Sequence, residues 1–99
     1  MLDKEQAQMA SIIGAFIRKN RKSLGLTSDV VSEMCEVDNS TISQIENGKR
    51  VPKLETIVRI VSFFMRVAEK EQDNIEERRL MNSVKELLRQ LCSIYKEVD

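Results

Sequence analysis

Histidine is absent from this 99-residue chain, and its two cysteines, Cys35 and Cys92, stand far apart with no second thiol near either. Cysteine–histidine zinc sites and imidazole acid–base catalysis therefore drop out. In a reducing compartment each cysteine reads as a small buried apolar side chain rather than half of a disulfide. Tryptophan is missing, there is one proline, and the three glycines, Gly14, Gly25 and Gly48, are too dispersed to form a phosphate-cradling loop. No paired-carboxylate pattern occurs either, so no catalytic residue, cofactor or metal is assigned. No run of about 18 apolar residues exists, and the opening MLDKEQ is polar where a secretory signal needs an apolar stretch. A cytoplasmic protein with no membrane partner is expected. Charge of one sign is lacking too: 16 Lys+Arg balance 16 Asp+Glu, so any case for a polyanionic partner rests on local charge.

What remains is 41% apolar and 32% charged, a composition that folds as one domain, or as one small domain with an appended helix. From Lys4 to Lys22, Ala10, Ile13 and Ile17 recur at helical spacing, and Met9, Ile12 and Phe16 form a second apolar set beside them. Gly25 can close this first helix, and Thr27 or Ser28 can cap a second over about 28–35. A break at Glu36-Val37-Asp38 follows, with Asp38 placed to cap a third helix of about 39–47 that ends at Asn47-Gly48. Beyond Pro52, the residues Leu54, Ile57, Ile60, Val61, Phe64 and Val67 predict a fourth helix over about 54–70. Asp73 or Asn74 can cap a fifth, from Ile75 to about Val98. In it Leu80, Val84, Leu87, Leu91, Ile94 and Val98 repeat at steps of four and three. That stripe suits either one amphipathic helix folded onto its own chain or a dimer seam; the Met9, Ile12 and Phe16 face is open to the same two uses.

Charge divides weakly along this order. Residues 1–66 carry a net +2 and the remainder a net −2. Seven basic residues fall in two clusters, Arg18-Lys19-Arg21-Lys22 and Lys49-Arg50-Lys53, which bracket helices two and three. Two short helices joined by a three-residue turn, the second with a polar face, describe a helix-turn-helix, whose second helix enters the DNA major groove. The string Ile13-Gly14, Ile17-Arg18, Arg21-Lys22, Leu24-Gly25-Leu26-Thr27, Thr41-Ile42-Ser43-Gln44-Ile45-Glu46-Asn47-Gly48-Lys49 and Pro52 resembles the Xre/Cro family, which includes the lambda-type repressors. The resemblance covers about residues 12–64. It implies an all-α, lambda repressor-like bundle of four short helices, here with an added C-terminal amphipathic helix. The expected division is a DNA-binding domain over 1–70 and a candidate dimerisation helix over 71–99.

The resemblance also implies roles. Asn39, Ser40 and Gln44 fall at base-reading positions, where amide side chains offer a donor and an acceptor to adenine. Thr27, Ser28, Thr41, Ser43 and Asn47 fall near the sugar-phosphate, and Arg18, Lys22, Lys49, Arg50 and Lys53 are phosphate candidates by charge. Arg21 is expected to pair with Glu46, tying the first helix to the end of the third. The chain departs from the family pattern at Ser28, where a glutamine is usual, at Glu36, where glycine is common, and at Lys53, in place of a hydroxyl cap. Ser32 stands where the family tends to have alanine. The leading expectation is a repressor that binds a near-palindromic duplex as a homodimer. The alternative is a protein-interaction module, such as an antitoxin, using its C-terminal helix to engage a partner and with DNA binding secondary.

Overall fold

The computed structural model describes residues 2–70 and 74–95. Five helices follow in order: α1 (Lys4–Ser23), α2 (Ser28–Cys35), α3 (Asn39–Glu46), α4 (Leu54–Glu69) and α5 (Ile75–Ser93). The first four begin where the apolar periodicity begins, because burying a stripe, more than local propensity, makes short helices stable. Ile17, Val31, Ile42, Ile45, Ile60 and Phe64, drawn from α1 to α4, are fully excluded from solvent. At about 25 cal/mol per Å² of apolar surface, that shared centre outweighs anything eight-residue helices could supply alone.

Local chemistry sets the helix ends. Thr27 Oγ1 accepts from the Val30 amide at 3.1 Å and caps α2. At the start of α1 an unforeseen capping box joins Asp3 and Gln6, each side chain accepting the other's backbone N–H. Two expected caps are corrected. Asp38 occupies the N-cap of α3 without a side-chain cap bond. Asn74 sits left-handed at the N-cap of α5 and also makes none, while Asp73 lies outside the described residues. α3 stops at Glu46, one residue before the expected end, since Asn47 already serves as the C-cap ahead of left-handed Gly48. α4 likewise stops one residue short, at Glu69.

Glu36 adopts φ 56°, ψ 45°, the left-handed conformation for which glycine is the usual choice. Ser32 Oγ donates to the Val37 carbonyl and braces the turn around it. The strain at Glu36 exceeds what glycine loses in unfolded-state freedom, so Glu36→Gly is expected to stabilise the chain by about 0.5–1 kcal/mol. Urea unfolding with an unchanged slope and a raised midpoint checks this, and an unmoved or lowered midpoint contradicts it.

α5 closes the bundle from outside. Leu80 and Leu87 are buried, and Val84 and Leu91 pack half-buried against the same core, beside Met9 and Ile12 of α1. The buried Asn20 amide links the layers, donating to Ser83 Oγ at 2.8 Å and to the Phe16 carbonyl at 2.9 Å. The stripe and the second apolar face of α1 thus cover each other within one chain. Leu80, Val84, Leu87 and Leu91 are committed to the chain's own interior, and Ile94 is half-buried beside Ser93 and α1 residues. Val98 lies outside the described residues. Cys35 is buried as expected, but Cys92 is exposed, on the flank of α5 beside its apolar stripe.

Candidate nucleic-acid interface

α3 is held by its apolar side and displays its polar side. Ile42 and Ile45 are fully buried, while Asn39, Ser40, Ser43, Gln44 and Asn47 are exposed and Thr41 is half-buried. Since residues three and four apart share a face, Ser40, Ser43, Gln44 and Asn47 form one outward ridge flanked by Asn39 and Thr41. Among the described residues, the side chains of that ridge stay open to solvent.

The rear of α3 lies unusually close to α1. A Cβ on Gly14 would stand 2.1 Å from the Ile45 carbonyl oxygen, inside any van der Waals contact. Behind the helix end, Arg21 donates from Nε to Glu46 Oε2 at 2.7 Å and from Nη2 to Oε1 at 3.0 Å, and Nη1 reaches the Leu26 carbonyl at 2.9 Å. Hydrogen bonding to Glu46 pushes the Arg21 guanidinium further above its ordinary range, against the opposing effect of burial. One side chain therefore fixes α1, the approach to α2 and the end of α3 relative to one another.

Two further contacts orient the outward amides. Asn39 Nδ2 donates to the Asp29 carboxylate on α2, and Arg50 Nη1 donates to Thr41 Oγ1 at 3.2 Å and to Gln44 Oε1 at 3.4 Å. Asn47 Nδ2 donates to Ser43 Oγ at 3.3 Å along the ridge itself. Asp29 is a residue the sequence reading passed over. No local pattern signals it: Asp29 stands in the first turn of α2, with the rest of that helix and the turn between it and the first residue of α3.

The basic residues sort by place. Arg18 and Lys22, on α1, share the flank that carries Ser11, whose backbone lies against the loop after α3 at Gly48. Lys49, Arg50 and Lys53 are exposed in that loop and at the N-cap of α4. The first basic cluster thins to two members, for Arg21 is engaged with Glu46 and Lys19 lines grooves against α5 beside Ser83 and Glu86. Thr27 Oγ1 is occupied as a cap and Ser28 is half-buried. Among the described residues no cluster of histidine, cysteine or carboxylate side chains is arranged to hold a metal ion, and no helix is long and apolar enough to cross a membrane.

Residues 17–64, from the middle of α1 to the middle of α4, match the family model described as Helix-turn-helix. No curated protein and no solved structure matches the chain. The matched span contains both short helices, the turn, the Arg21–Glu46 pair and every basic residue around α3; α5 lies beyond it.

Proposed function

We propose, from the premise that residues 17–64 are a helix-turn-helix domain of the Xre and lambda repressor-like family, that the chain is a sequence-specific repressor that places α3 in the DNA major groove. The observation that carries this reading is the two-sided character of α3: its isoleucines are wholly buried while its amide and hydroxyl side chains face solvent. Such a helix is anchored firmly enough to present base-reading groups in fixed positions. Asn39, Ser40 and Gln44 are assigned to base edges, and Thr41, Ser43 and Asn47 to the adjoining sugar-phosphate. Arg18, Lys22, Lys49 and Lys53 are assigned to the backbone on either side.

Eight residues of helix span about 12 Å and reach only a few base pairs. A homodimer on a near-palindromic site, with its recognition helices about 34–36 Å apart, supplies the missing specificity. The stripe from Leu80 to Leu91 is occupied within the chain, so pairing is assigned to surface outside it. A second reading, a protein-interaction module, draws on the exposed Met81 and Leu88, one heptad apart on the outer side of α5.

Salt dependence separates the two. Each phosphate contact contributes a slope of about −0.9 in log affinity against log salt, so four cations per copy predict about −3 to −4, and twice that for a dimer on both half-sites. Fluorescence anisotropy of a labelled duplex across salt concentrations reads this directly. A slope near zero would overturn the DNA assignment and leave the interaction module in its place.

A further inference from the structure

We infer that Arg50 reads a base together with Gln44, and that the pair selects guanine over adenine. The inference rests on the DNA-binding reading above and names the base chemistry of the same site.

By charge alone Arg50 is one more phosphate candidate, but it does not stand apart from α3. Its Nη1 is held by two acceptors on one flank of the recognition helix, Thr41 Oγ1 at 3.2 Å and Gln44 Oε1 at 3.4 Å. The Thr41 bond matters because that residue is half-buried and its position is set by the helix, so the guanidinium is laid along α3. The Gln44 bond fixes more than a position. A guanidinium has donors and no acceptor, so only the oxygen of the carboxamide can face it, and the outer end of the Gln44 side chain is its NH₂ group.

Adenine is read by an amide that gives an N–H to N7 and takes the N6 amino hydrogen on its oxygen. Here that oxygen is turned to a cation, and the surrounding groups are donors: Gln44 Nε2, Arg50 Nε and Arg50 Nη2. The N6 amino group of adenine would meet donors and positive charge. Guanine presents N7 and O6, two acceptors, to the same groups, and an arginine fork on those atoms is the commonest specific contact in the major groove. Arg50 thus converts a residue that alone suits adenine into half of a guanine reader.

The test is selection of duplexes from a random library by the full chain and by Arg50→Ala and Gln44→Ala. The position whose preference disappears in Gln44→Ala is the one at issue. At that position the wild type is expected to hold guanine about tenfold over adenine, and Arg50→Ala to bind still but with adenine favoured. Replacing that guanine by 7-deazaguanine is expected to weaken the wild type about tenfold and to leave Arg50→Ala unchanged. Adenine in the wild-type selection overturns the inference, as does an Arg50→Ala variant that keeps guanine and merely binds every duplex more weakly. If Gln44→Ala fails to fold, each guanine of the selected half-site is replaced in turn by 7-deazaguanine, and a wild type that no replacement weakens overturns the inference. A wild type that enriches no duplex removes the DNA-binding reading itself, and this inference with it.

Discussion

Glu46→Ala is expected to lower the unfolding free energy by about 3–5 kcal/mol, because it leaves Arg21 as a desolvated cation with its partner removed. Exposure decides the size of this effect. The Arg21 and Glu46 side chains are 14% and 8% exposed, whereas Arg59 and Glu55 on α4 are 47% and 75% exposed at a similar N–O distance. Removing Glu55 is accordingly worth no more than about 0.5 kcal/mol, as for other exposed pairs four residues apart on a helix. A domain of this length moves by about 4–8 °C in Tm per kcal/mol, so Glu46→Ala should melt at least about 12 °C below the wild type. Thermal unfolding followed by circular dichroism makes the comparison. Equal, small losses for the two glutamates would show that Arg21 stabilises nothing beyond an ordinary surface pair.

Gly14→Ala is expected to be nearly as damaging through a different mechanism. The added methyl would lie 2.1 Å from the Ile45 carbonyl oxygen, and that neighbour is backbone, with no rotamer to move aside. α1 and α3 must separate by more than an ångström to admit it. Overpacking of this kind costs about 1–3 kcal/mol, and more where the neighbour is rigid. Here the same displacement also lengthens the Arg21–Glu46 bonds, since both contacts belong to one helix pair. The two substitutions should therefore not add: the double variant is expected to lose less than the sum of the singles by at least about 0.5 kcal/mol. Chemical denaturation of the four proteins closes that cycle. Strict additivity would mean that the helix approach and the ion pair are independent.

Much of this architecture was legible in the sequence. The all-helical bundle, the order of five helices and the starts of α1 to α5 follow from where apolar periodicity is interrupted, and Gly25 and Gly48 turn left-handed where helices end. Most of the errors have physical reasons. Asn74 has the right side chain for a cap, but capping needs an extended backbone as well as a residue type, and Asn74 is left-handed at φ 60°; Asp38 has a suitable backbone, φ −55° and ψ 142°, and its missing cap bond has no structural explanation. The stripe on α5 has the same spacing whether it faces a second copy or its own core. In the structure it packs on its own chain, where Asn20 meets Ser83, a pair separated by 63 residues that no local pattern relates. Residue type alone predicts a buried Cys92, yet at about 100° per residue it falls on the flank of α5, off the stripe of Leu80 and Leu87, and is exposed. In the candidate interface, the exposed residues of α3 could be named from the motif. That Asp29 holds Asn39, that Arg50 holds Gln44 and that Lys19 turns toward α5 depend on how the helices cross, which spacing along the chain does not encode.

The placement of α3 against base edges is the claim on which the rest depends, and a gel shift with Gln44→Ala/Lys49→Ala tests it most directly. One substitution removes the amide proposed to read a base and the other the cation proposed to meet a phosphate, and both side chains are exposed, so helicity and Tm should be unchanged. On a duplex enriched by the wild type, the double variant is expected to bind at least about tenfold more weakly per copy and about a hundredfold more weakly as a dimer on both half-sites, at about 1.4 kcal/mol per factor of ten. Affinity equal to that of the wild type in a fully folded double variant would contradict the account.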